Sequence, residues 1–208
     1  MKTLKILAAL TVATMGLSSA PALATDFSFT GSLPTANSVQ LFNFTVGAPS
    51  TVTLRTWSYA GGTNAAGSLI ARGGFDPILA LFDSTGLRIN QNDDGGSNVA
   101  ADSVTGARFD TFLSSLLQSG TYTVSVMAYS NFSIGPNLSN GFQNTGNFTD
   151  VTGSQRTNQW AFDVLNVNGA TQGGAVPEPA TWAMMLIGFG AAGVSLRYRR
   201  RKTVLAAA

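Results

Sequence analysis

From residue 26 to residue 167 the hydrophobic positions fall mostly at every second residue. In residues 26–33 (DFSFTGSL), Phe27 and Phe29 alternate with polar neighbours, and residues 39–47 (VQLFNFTVG) and 50–59 (STVTLRTWSY) are rich in β-branched and aromatic side chains. Residues 119–129 (SGTYTVSVMAY) set Tyr122, Val124 and Val126 on one face and Thr123, Ser125 and Met127 on the other; residues 159–167 (QWAFDVLNV) alternate through Trp160, Phe162 and Val164. A period of two puts successive side chains on opposite faces of a strand. The runs are bounded by Gly, Asn, Asp and Ser and recur at about ten residues, the spacing of an antiparallel all-β domain. The pattern predicts an all-β fold, a single antiparallel β-sandwich, jelly-roll-like, over residues 25–168.

Residues 75–96 (FDPILALFDSTGLRINQNDDGG) read as strand, Ser-Thr-Gly turn, strand and Asp/Gly-rich loop. Residues 108–120 (RFDTFLSSLLQSG) have an apolar spacing compatible with a short helix. Gly120, however, stands where a turn is needed, so a loop leading into a strand is expected. Residues 60–74 and 130–153 are rich in Gly, Asn and Ser and are expected to form long surface loops.

The two ends break the alternation. Lys2 and Lys5 precede a nearly continuous apolar run over residues 6–17, and Ala22-Leu23-Ala24 supplies the small-x-small pattern of a signal-peptidase site. The run is too short to span a bilayer of ~30 Å. Residues 1–24 are therefore expected to be a cleaved signal peptide, with a mature chain starting at Thr25. At the other end, residues 169–176 read as a linker into a segment over 177–202. Within it, residues 180–196 are uncharged and long enough for a short transmembrane helix, with Gly188, Gly190 and Gly193 allowing close helix approach. Arg197, Arg199, Arg200, Arg201 and Lys202 follow at once, a basic stop cluster that the positive-inside rule keeps cytoplasmic. The expected topology is body outside and tail inside, with residues 203–208 as a short trailing tail.

Composition changes meaning once the ends are set apart. The whole chain carries +2 with a pI near 9.2, but seven of its twelve basic residues lie in the two end segments. The body between Thr25 and Val176 has five arginines against nine aspartates, a net of −4, with no Lys and no Glu. Arg55, Arg72, Arg88, Arg108 and Arg156 are scattered singly, so the clustered cations that nucleic-acid binding requires are missing. There is no Cys to staple the fold and no His. That removes imidazole acid–base chemistry, Ser-His-Asp and Cys-His catalysis, and His-ligated zinc.

Aspartate is the remaining candidate for chemistry. Asn90, Asn92 and Asp94 in NQNDDG match the opening of a calcium loop, but the first position is Asn, the twelfth is Ala101, and Asp102 comes one residue late. An EF-hand is excluded. An irregular calcium site remains open, with Asp76, Asp83, Asn90, Asn92, Asp93 and Asp94 at strand ends as oxygen donors; the same residue types also serve simply as turn formers. Asp110, Asp150 and Asp163 are available as a glycosidase-like carboxylate pair, but their spacing singles out no pair, and a non-catalytic protein is expected. Trp57, Tyr59, Tyr129, Phe132, Phe142 and Phe148 lie in or beside the polar loops, where they could stack on sugar rings or close the ends of the core. Asn-x-Ser/Thr triplets at Asn43, Asn131, Asn137 and Asn147 are a weak glycosylation signal in so Asn-rich a chain.

Residues 75–96 followed by LLQSGTYTVSVMAYSN resemble the bacterial pre-peptidase C-terminal type of β-sandwich. The shared pattern is an Asp entering an apolar strand, an Asp-x-x-Gly turn, a strand ending in Asn-Asp-Asp-Gly and a later Ser-Gly-Thr-Tyr strand. That resemblance implies a non-catalytic accessory or surface module.

Val176-Pro177-Glu178-Pro179, the apolar segment and the arginine cluster together resemble the PEP-CTERM sorting signal of Gram-negative bacteria that have exosortase. The resemblance implies recognition at Pro177-Glu178-Pro179 by the membrane-embedded exosortase, after signal peptidase has acted at the N-terminus. It further implies a transient hold in the inner membrane, then release or attachment at the cell surface, commonly in an exopolysaccharide or biofilm matrix. The resulting expectation is an exported structural or adhesive protein, or else a calcium- or carbohydrate-binding β-sandwich module.

Overall fold

The computed structural model describes residues 23–176 and Phe189. Eleven strands lie among them: β1 (Thr25–Ser32), β2 (Val39–Val46), β3 (Ser50–Thr56), β4 (Gly62–Thr63), β5 (Leu69–Ile70), β6 (Pro77–Phe82), β7 (Arg88–Asn92), β8 (Phe112–Leu117), β9 (Gly120–Ala128), β10 (Gln159–Val167) and β11 (Gly169–Val176). The expected signal peptide up to Ala22, Pro177-Glu178-Pro179 and the basic cluster lie outside the described residues, as does the apolar segment except for Phe189. Residues 108–120 hold no helix, but the loop expected there is corrected: its middle is a strand, β8, in which Leu113 and Leu117 point into the core while Ser114 and Leu116 face out.

All pairings in the sheets are antiparallel. One sheet has the order β1-β10-β3-β8, the other β11-β2-β9-β6-β7, and β4-β5 is a separate small hairpin. Apart from β4 and β5, every connection crosses from one sheet to the other except the β6–β7 hairpin. That is the strand order of a double-sheet jelly roll, with β11 added outside β2. The assignment of residues 169–176 as a linker is therefore corrected: they form β11, paired with β2 from Gly169↔Thr45 to Val176↔Val39. Small residues without strong alternation hid the strand. Val176, its last described residue, precedes Pro177 in the sequence.

The inward faces of both sheets share one core. Val52, Leu54, Leu113, Leu117, Trp160, Phe162 and Val164 come from one sheet, and Phe42, Phe44, Leu79, Leu81, Val124 and Val126 from the other. Phe42 sits at its centre, fully buried, with ring centroids 5.0 Å from Phe29, 4.8 Å from Phe162 and 5.4 Å from Trp160, the last edge-on. Such tilted and edge-to-face pairs add to area burial.

The β6 strand is buried at all six positions, because its second face is also covered. Ile78, Ala80, Phe82, Val39, Met127 and Phe142 form a second cluster on the outer side of the five-stranded sheet, with Leu41, Tyr129, Phe132 and Leu138 packed against it. The segment 130–153 supplies the cover, so the surface-loop expectation holds only in part: Asn131, Ser133, Phe142 and Asp150 within it are buried. Polar composition concealed this, because Asn131 satisfies itself by donating to Asn37 O (3.0 Å) and accepting from Asn144 N (2.7 Å). Replacing Phe42 with Ala should cost about 3–5 kcal/mol, the range for a large aromatic in a packed core. Urea unfolding of the 25–176 body measures it as a lower midpoint at unchanged slope.

Candidate functional site

The long connections β3–β6, β7–β8 and β9–β10 meet around buried charge. Arg156 lies over Tyr59, its Cζ 3.5 Å from the ring centroid, and donates to Gly74 O (3.1 Å) and Tyr59 O (2.8 Å). Tyr59 OH donates to Asp150 Oδ2 at 2.6 Å, and Arg156 lies 3.6 Å from Asp102 and 3.8 Å from Asp150. Arg72 grips Asp102 through two bonds of 2.8 and 2.9 Å. Gly74 has no alternative here, since a Cβ would come within 2.6 Å of Gln159 O and Ser58 O. Burial works to raise Asp102 and Asp150, but their donors outweigh it: Arg72 and the Thr105 and Val104 N–H groups for Asp102, Thr152, Tyr59 and Ser154 for Asp150. Both carboxylates are held below the ordinary range. Burial and the bond to Asp150 push Tyr59 up to about 12.

The other candidate catalytic carboxylates are engaged in the same way. Asp110 accepts from Thr56 Oγ1 (2.9 Å), Tyr59 N (3.0 Å) and Ala60 N (2.8 Å). Asp163 accepts from Ser28 Oγ (2.6 Å), Trp57 Nε1 (2.7 Å) and Ala65 N (2.9 Å). Each ties a loop to a strand. This network was missed in the sequence; the one available signal was a set of isolated arginines in a body without lysine.

Of the six residues named for calcium, the fold gathers three. The β6–β7 register, with Leu79 opposite Asn92, carries Asp93 and Asp94 past the end of β7 toward Asp76, which precedes β6. Thr111 Oγ1 bridges this corner, 2.5 Å from Pro77 O and 2.8 Å from Asp93 O. Asp76 is 7% exposed and its Oδ1 is buried with no hydrogen-bond partner. Burial, then the charges of Asp94 and Asp93, push it up to about 8; burial and Asp93 raise Asp94.

Asp83 lies at the opposite end of β6, roughly 23 Å away at the rise of an extended strand. Its Oδ1 accepts from Thr85 N, Thr85 Oγ1 and Leu87 N, closing the turn in which Gly86 takes φ +84°. Asn90 bonds Ser115 Oγ and Gln91 N, and Asn92 donates to Phe112 O. Asp102, the late twelfth-position candidate, is committed to Arg72. Among the described residues no three acidic side chains converge closely enough to hold a metal ion as they stand.

The loop aromatics are packed. Tyr59 and Phe142 are buried. Trp57 lies under Arg55 at 3.8 Å, Phe148 meets Phe75 at 5.6 Å, and Tyr129 meets Phe132 at 5.8 Å. None of the six is exposed.

Asp76 sets a testable pH dependence. Its folded value of about 8 stands above the unfolded 3.8, so the stability it contributes is complete below about pH 4 and is lost as pH rises toward 8. Asp76→Asn should remove that loss, being more stable than the parent at pH 8 and converging with it near pH 4. Urea titrations of both proteins across this range, without divalent cations, measure the difference.

Residues 175–201 match the family model of the PEP-CTERM protein-sorting motif. The motif implies an exported protein processed by an exosortase, with a membrane-anchored sorting segment. Curated proteins give no match. Among solved structures, the chain is similar to the pre-peptidase C-terminal domain of a collagenase from Bacillus anthracis, at 10% identity and a TM-score of 0.31, covering 71% of this chain and 90% of that one.

Proposed function

We propose that the protein works at the cell surface or in the extracellular matrix as a structural or adhesive component, associated with exopolysaccharide or biofilm, after exosortase has processed its tail. The observation that carries this reading is the sorting motif at 175–201, joined directly to a packed jelly-roll body. A non-catalytic role is supported by the aspartates: Asp102 and Asp150 are consumed in tying loops to one another, and Asp110 and Asp163 in tying loops to strands. Replacing Pro177-Glu178-Pro179 with alanines in the full chain should leave the protein in the inner-membrane fraction. Normal departure from that membrane would overturn the sorting reading.

A second reading, a cation-binding module, is favoured by one observation. The buried Oδ1 of Asp76 has no donor, and Asp93 and Asp94 raise its proton affinity instead of neutralising it. A divalent cation drawn in by modest closure of the 93–95 loop would supply the missing partner, and calcium suits an all-oxygen set. Millimolar calcium should then raise the melting temperature of the parent and leave Asp76→Asn unmoved, by mass action on the folded state. Parent melting curves that coincide in calcium and in chelator would end this reading. The packed aromatics give the carbohydrate-binding version less support.

A further inference from the structure

The last strand of the body and the sorting motif share a boundary with no spacer. Val176 is both the final residue of β11, opposite Val39, and the residue before Pro177-Glu178-Pro179. A protease takes its substrate as unpaired, extended backbone on the sides of the cut, so cleavage of a folded chain proceeds through local opening. In the folded protein the residues immediately N-terminal to the motif are hydrogen-bonded into a sheet. The three motif residues also span only about 10 Å of extended chain before the apolar segment begins. The whole sandwich would therefore be held against the membrane where the processing enzyme must work.

The fold suits β11 to leave. Strands β1, β3, β8 and β10 with β2, β6, β7 and β9 already make a complete eight-stranded jelly roll, and β11 has a partner on one side only. Of its side chains, Ala170 packs against the core, while Thr171 and Gln172 are exposed. Its ladder is interrupted between Gln172 and Ala175, where Gly173 and Gly174 stand. There the Gln40 side chain, not a regular ladder bond, reaches Gly173 O at 2.7 Å. By contrast, β10, which precedes it, buries Trp160, Phe162 and Val164 and is paired on both sides.

We propose that β11 is a releasable edge strand that gates exosortase processing: it must unpair from β2 before the motif can be handled. Released, its eight residues add roughly 26 Å of extended chain between sandwich and membrane. This proposal rests on the sorting reading above and adds to it a dependence on the body's own stability.

Asn43 and Thr171 face each other across β2 and β11, a separation that a disulfide can bridge. The chain has no cysteine of its own, so Asn43→Cys with Thr171→Cys gives a single defined staple. The full chain, in membranes from an exosortase-bearing host, is followed by the conversion of precursor to processed form, oxidised and after dithiothreitol. The oxidised protein should be processed at least about tenfold more slowly than the same protein reduced, since cleavage tracks the open population. A flexible eight-residue insert between Val176 and Pro177 should restore the rate while the staple stays closed. Equal rates in the oxidised and reduced forms would overturn the gate, as would a stapled chain that the insert does not rescue. The alanine replacement of Pro177-Glu178-Pro179, run in parallel, separates the two ideas: if that chain is still processed, it is the sorting reading that fails.

Discussion

A single buried guanidinium organises the end of this sandwich. Arg156 stacks on Tyr59, bonds two backbone carbonyls and neutralises part of the charge on Asp102 and Asp150. The groups it joins come from the three longest connections of the fold. Without it, two carboxylates would stay buried beside carbonyls that had lost their donor, the circumstance in which removing one partner of a buried pair is most destructive. Arginine suits this position where lysine would not: its planar fork stacks and donates in several directions at once. A body with neither disulfides nor lysine fixes its long loops by hydrogen-bonded charge.

The same economy runs through the other aspartates. Asp110 and Asp163 receive backbone N–H groups from the loop after β3, and Asp83 closes the β6–β7 turn. Asp76 is the exception, a buried carboxylate facing other carboxylates with no donor of its own. A buried acceptor without a donor, where Asp83, Asp102, Asp110, Asp150 and Asp163 all have theirs, is what makes the corner a candidate site and its neighbours ordinary turns.

Strands with clear alternation were legible in the sequence almost to the residue. Residues 159–167 became β10, and 39–47 and 119–129 became β2 and β9 within a residue or so. Their side chains differ sharply between faces, so pattern and burial coincide. β11 was not legible, since its glycines and small residues carry no such contrast and its place depends on β2. Nor could the sequence show that residues 130–153 cover a sheet, for their Asn and Ser side chains are satisfied internally. The calcium candidates divided for a similar reason. Asp76 and Asp83 read alike as strand-end acids, but a strand's length separates them. The tail was readable on its own because its three elements act by order and not by tertiary contact.

The double burial of β6 has a consequence outside the native state. PILALF is six residues of uncharged, strongly apolar chain, the composition of segments that stack into cross-β aggregates when exposed. A chain exported unfolded would present it to its neighbours before the sheets close. The residues bracketing it are Asp76 with Pro77 at one end and Asp83 at the other: charges and an imino acid of the kind that act as gatekeepers beside unavoidable hydrophobic strands. Asp76 is thus without a donor in the folded protein, while in the unfolded chain it sets a charge directly beside the apolar run.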